Sequence, residues 1–208
     1  LWGSSWGIPD MKTTVDTSNG DVTLQPNFNN YNAADPYWSN GPIGNKYLEA
    51  NSYVEDASLI GQNVTFTGNI GSNNLDAAYT ATAFIKVLDP LNSYATVLHQ
   101  TMTIGASGTF TVTATIPNVS THIVQYGFTV WGLNANPADE PTLGSVVLNG
   151  IVPPTPTATV GIDTGMNWTG YMNVFDSTGT VYQWGSVWGV NDLKTSVDTP
   201  TGTVTLQP

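Results

Sequence analysis

Between Thr109 and Pro117 the chain reads TFTVTATIP, with Phe110, Val112, Ala114 and Ile116 at every second position and threonines between them. A period of two belongs to an extended strand with one apolar and one polar face. NVTFTGNI (Asn63–Ile70) repeats the pattern through Val64, Phe66 and Ile70. Further strands are expected at Lys46–Asp56, Ala78–Asp89, Thr96–Ile104, His122–Leu133 and Gly144–Val152, each bounded by turn residues. Asn27–Asn45 is dense in Asn, Gly and Pro and predicts a long loop. No segment sustains a 3.6-residue period. Successive short strands separated by turns predict an all-β chain built as an antiparallel β-sandwich.

The pattern is written twice. WGSSWGIPDMKTTVDTSNGDVTLQP (Trp2–Pro26) returns as WGSVWGVNDLKTSVDTPTGTVTLQP (Trp184–Pro208), with 17 of 25 positions identical at a constant offset of 182. Such a duplication is expected of a tandem-repeat protein. Residues 1–151 then form a sandwich module without its N-terminal lead-in, and 152–160, with PPTPT at its start, form a Pro/Thr linker. Residues 161–208 carry the first strands of the next repeat. Prolines resist folding back, so these strands are expected to complete the sandwich of a neighbouring copy, head to tail.

Composition narrows the functional classes. Four lysines, no arginine and a net charge of −11 leave no cationic cluster for nucleic acid. No apolar run approaches the ~20 residues of a membrane-spanning helix, so no membrane insertion is expected. Cysteine is absent, which removes disulfides and thiolate metal sites. An acidic, Thr- and Asn-rich surface fits an extracellular or cell-surface setting, bacterial in type.

YTATAFIKVLDP, GTFTVTATIP and the closing GSVVLNGI together resemble the β-jelly-roll carbohydrate-binding modules of secreted bacterial polysaccharide-degrading proteins. The resemblance covers about Lys46 to Ile151. It implies a jelly-roll-like sandwich, with Tyr79–Val87 on the concave face and Ser145–Leu148 as the last strand before a linker. In that family acidic residues often precede the V-x-L of the last strand and accompany a structural calcium; here Gly144 and Ser145 stand there.

Sugar recognition uses flat rings against pyranose faces, flanked by amides and carboxylates. Tyr37 and Trp38, in a polar loop beside Asp35, are the expected platform. Trp2 and Trp6 lie four apart, a spacing kept by Trp184 and Trp188, which serves either a sugar platform or a tight core around small residues. Trp131, within the apolar run FTVWGL, is expected in the core. The loop NANPADEPTLG offers Asn134, Asn136, Asp139 and Glu140 as oxygen ligands for calcium, with a plain hydrophilic turn as the alternative. Glu49 and Glu55 share a strand face but stand about 20 Å apart along it, too far for a glycosidase pair. The sequence therefore predicts a non-catalytic extracellular module that binds polysaccharide. The alternative is an architectural repeat of a fibre, adhesin or surface layer that assembles by strand donation.

Overall fold

The computed structural model describes residues 12–28, 31–150, 159–160, 168–175, 177–179, 181–188, 195–198 and 203–206. The expectations placed on Trp2, Trp6 and the linker at 152–158 lie outside these residues. Among the described residues the chain is all-β apart from short 3-10 turns and one four-residue helix, α1 (Glu140–Leu143). It opens with the hairpin β1 (Thr13–Asp16) and β2 (Asp21–Leu24), followed by two-residue strands β3 (Ser39–Asn40) and β4 (Ile43–Gly44). The body comprises β5 (Tyr47–Glu55), β6 (Asn63–Asn73), β7 (Thr80–Asp89), β8 (Ala95–Thr103), β9 (Gly108–Thr115), β10 (Ile123–Leu133) and β11 (Val146–Asn149). Beyond it come β12 (Thr159–Val160), β13 (Trp168–Phe175), β14 (Val181–Trp188), β15 (Thr195–Asp198) and β16 (Thr203–Leu206).

Two sheets carry the core. In the larger, the order is β12–β6–β11–β2–β1–β16–β15, and β9 also pairs with β6. In the smaller it is β14–β13–β5–β10–β7–β8. Among the described residues all pairs are antiparallel except β12 with β6. The two-residue β3 and β4 pair with each other.

Alternation decides which face packs. Phe66 and Phe110 point inward from the eight-stranded sheet and meet Tyr126 and Phe128 of the six-stranded one. Phe66 lies 5.3 Å from Tyr126 and 5.2 Å from Phe128, centroid to centroid, and Phe110 lies 5.4 Å from Phe128. All four rings are fully buried. Burying a ring of this size contributes about 1.5–3 kcal/mol, so this quartet clamps the layers. Leu48, Ala50, Ile85, Val87, Val22, Leu24, Val146 and Leu148 extend the same core.

The β1–β2 turn follows from its residues. The Asp16 carboxylate accepts from the Ser18 backbone N–H at 2.9 Å and hydroxyl at 2.6 Å, and Gly20 takes φ +79° where a side chain would be strained. These hydrogen bonds, the hydroxyl's first, hold the Asp16 carboxyl below its ordinary range.

The C-terminal strands return to the same body. β13 pairs with β5 from Trp168↔Val54 to Phe175↔Tyr47, and β14 pairs with β13. β15 and β16 form a hairpin that meets β1 at Asp16↔Thr203. The edge of β5 is thus paired with β13 of the same chain.

Candidate functional site

The outer face of the six-stranded sheet departs from the rule that a solvent-side strand face is polar and exposed. On β5 the outward positions are Tyr47, Glu49, Asn51, Tyr53 and Glu55. On β10 they are Ile123, Gln125, Gly127, Thr129, Trp131 and Leu133; on β7, Thr80, Thr82, Phe84, Lys86 and Leu88. Asn51, Tyr53, Phe84 and Gln125 are buried although they point away from the core.

Register brings these residues together. Trp131 stands opposite Glu49, Thr129 opposite Asn51, and Gln125 opposite Glu55. The Trp131 ring stacks on Tyr47, with centroids 5.5 Å apart and planes 13° from parallel. Beside this pair, the Asn51 amide donates to the Glu49 carboxylate at 3.3 Å and accepts from the Thr129 hydroxyl. Gln125 donates to Glu55 at 2.8 Å. Farther across, the Lys86 ammonium sits 5.1 Å over the Phe84 ring, and His99 meets Phe84 edge-on at 5.9 Å. Partial burial lowers the pKa of Lys86, against the attraction of Glu49. Burial and then the Lys86 charge lower that of His99, with Glu49 again opposing.

Gly127 makes the crowding possible. It stands between Tyr53 on one side and Phe84 on the other. A Cβ at Gly127 would lie 2.1 Å from the Ser52 carbonyl oxygen and 2.6 Å from the Tyr53 Cα. Only glycine fits there.

At the Tyr47–Leu133 end the face opens into a cleft of about 490 Å3 lined by Pro36, Asn40, Ile43, Asn45, Tyr47 and Leu133 among others. Its far wall is the 31–46 loop. Gly44 lets that loop approach β10, since a Cβ there would fall 1.7 Å from the Asn134 carbonyl oxygen.

The residues singled out from sequence fall into three groups. Tyr37 is 37% exposed, whereas Trp38 is half-buried and packs against the core. Their rings meet edge to face, at 5.0 Å and 81°, so they do not form one flat surface. The Lys46 ammonium lies 4.5 Å over Tyr37, and the Asp35 carboxylate accepts from the Tyr37 N–H at 2.9 Å. The second group is the proposed calcium loop. Asn134 is buried; its amide donates to the Trp38 carbonyl at 2.9 Å and accepts from the Lys46 N–H at 3.1 Å. Asn136 caps the Pro137–Asp139 turn by accepting from the Ala138 N–H at 3.0 Å. Asp139 ends that turn, and Glu140 pairs with Lys12 at 3.2 Å. A cation here would have to replace those bonds. Among the described residues no group of three or more His, Asp or Glu side chains is placed to share a metal. The third group is Trp2 and Trp6, outside the described residues; Trp184 and Trp188 lie on β14.

One expectation is corrected. Trp131 is not core: it is half-buried on the outer face, one residue after the inward Val130. Sequence reasoning missed the Trp131–Tyr47 stack because the run FTVWGL carries apolar residues on both faces of its strand. The Trp131–Glu49 juxtaposition needs the register, which residue spacing alone does not supply.

No protein-family model, curated protein or solved structure matches this chain.

Proposed function

We propose that the chain is a non-catalytic, extracellular polysaccharide-binding module, and that its sugar site is the outer face of the six-stranded sheet. The Tyr47–Trp131 stack beside the Glu49–Asn51–Thr129 chain supports this most directly. A pyranose presents an apolar face and a rim of hydroxyls; parallel rings take the first, and a carboxylate, an amide and a hydroxyl take the second. The adjoining cleft is large enough for further sugar units along an extended chain. The net charge of −11 disfavours polyanionic glycans, so the ligand is a neutral polysaccharide.

Affinity-gel electrophoresis against a panel of neutral polysaccharides tests the reading. The wild type is retarded by at least one of them. Trp131→Ala loses the retardation and keeps a cooperative melting transition, while Thr111→Ala, on the opposite surface, behaves as wild type. Absence of retardation of the wild type across the panel overturns the proposal, as does full retention by Trp131→Ala. The alternative, an architectural repeat of an extracellular assembly, draws on the duplicated hairpin and is read by electron microscopy of the purified chain.

A further inference from the structure

The chain holds one sandwich body and two copies of the hairpin that seals it. In the structure β2 lies against β11, with Leu24↔Val146, Thr23↔Val147, Val22↔Leu148 and Asp21↔Asn149 as partners. Four hairpin side chains are buried at this seam: Thr13, Val15, Val22 and Leu24. At an offset of 182 they become Thr195, Val197, Val204 and Leu206, so all four are identical. Lys12 and Gln25, which hold Glu140 from either end of the hairpin at 3.2 and 3.4 Å, return as Lys194 and Gln207. The substitutions fall elsewhere. Thr14 becomes Ser196, and Ser18 and Asn19 in the exposed turn become Pro200 and Thr201. Asp21, whose carboxylate accepts from the Asn149 amide, becomes Thr203, which is the one seam contact the second copy changes.

The two hairpins also share one internal register. Thr13↔Leu24 through Asp16↔Asp21 is matched by Thr195↔Leu206 through Asp198↔Thr203. A segment that keeps the buried set, the ion-pair partners and the register keeps what the slot beside β11 recognises. The second hairpin also follows β13 and β14, which already dock on this body through β5. Its β16 now stands three strand spacings from β11, roughly 14 Å, and two spacings, roughly 10 Å, from the place that β2 holds.

We infer that residues 195–206 are a second, interchangeable occupant of the slot beside β11, with β16 able to take the register that β2 holds. When 195–206 fills the slot, the 13–24 hairpin of that chain is released. The released hairpin is then a ready edge element for the body of a second copy of this chain, which is the chemistry of head-to-tail exchange.

Full-length variants test this. Val22→Asp places a carboxylate at a fully buried position of the first hairpin. The second hairpin should then take over, so Val22→Asp keeps a cooperative melting transition. Val204→Asp alone leaves the slot to the first hairpin and melts close to wild type. Val22→Asp with Val204→Asp has no sound occupant and loses the transition. The chain's lack of cysteine permits a direct reading with Val147→Cys and Thr205→Cys, half-buried Val147 being the present partner of Thr23. A short bis-maleimide should join the two cysteines in the Val22→Asp background and not in the otherwise native chain. A product at monomer mass places the second hairpin on its own body, and a ladder places it on another copy; either supports the exchange. If Val22→Asp melts as poorly as the double variant, or folds without forming the cross-link, the second hairpin does not enter the slot and the inference fails.

Discussion

The outward faces of the two sheets are built from the same strand geometry and could hardly differ more. On the eight-stranded sheet, β6 and β9 pair Thr65 with Thr113, Thr67 with Thr111 and Asn63 with Thr115. These side chains are exposed or half-exposed and bond one another, Thr67 to Thr111 at 3.0 Å and Thr115 to Asn63 at 2.8 Å. Short hydroxyl and amide groups there satisfy the pleat and face water. On the six-stranded sheet the same positions hold rings, carboxylates and amides, several of them buried, around one glycine. A strand face that needs only solubility is uniform; one crowded with partly desolvated polar groups carries costs that folding alone does not require.

The comparison is broken most violently at Gly127. Gly127→Ala forces a methyl into the Ser52 carbonyl and is expected to cost about 3 kcal/mol in chemical denaturation. Thr111→Ala, the control on the other face, should stay within about 0.5 kcal/mol. A Gly127→Ala protein as stable as the control would mean that the crowded face yields easily.

Next come the two tryptophans. Trp38 packs against the core, so Trp38→Ala should lower stability by about 2–3 kcal/mol. Trp131→Ala should cost about half as much while losing polysaccharide retention. Paired melting and affinity-gel measurements separate them, and reversed roles would return the platform to the Tyr37–Trp38 loop. Asn134→Ala removes two hydrogen bonds from a buried amide and is expected to cost about 1–3 kcal/mol. Its effect should appear as faster amide exchange across residues 38–46, because the loop that walls the cleft hangs on that side chain.

The smallest effect is a pH dependence confined to the crowded face. Partial burial and Lys86 hold His99 below its ordinary pKa near 6.5. The unfolded chain therefore binds the proton more readily, and stability falls as pH drops below about 6.5, levelling off under the folded-state value. The His99 side chain still reaches solvent, so the slope is shallow. His99→Gln should flatten it, and an unchanged slope would assign it to other groups.

What could be read from sequence follows the same contrast. The β9 strand was legible because Phe110, Val112 and Ala114 alternate with threonines, one face packing and the other facing water. β10 was legible as a strand but not in its faces. Trp131 lies in an apolar run whose outward side also carries Ile123 and Leu133, so the period of two fades where it matters most. The calcium expectation rested on counting oxygens in NANPADEPTLG. Asn136 directly before Pro137 already carried the mark of a capping residue ahead of a helical turn. Asn134 gave no such mark, since its partners, Trp38 and Lys46, lie some 90 residues away. The sandwich itself came from local alternation; the site depends on which strands stand side by side.

The pairing of β13 with β5 also sets a clock. Gly150 ends the body, and Phe175, the last residue of β13, is synthesised 25 residues later. At about 5–20 residues per second that is roughly 1–5 s. For that interval a nascent body offers the open edge of β5 to any strand within reach. An earlier-made β13 of another copy, if one is present, has the first opportunity to bind there. Crowding of ribosomes on one message would then raise the chance of such a capture, before any equilibrium between folded chains is established.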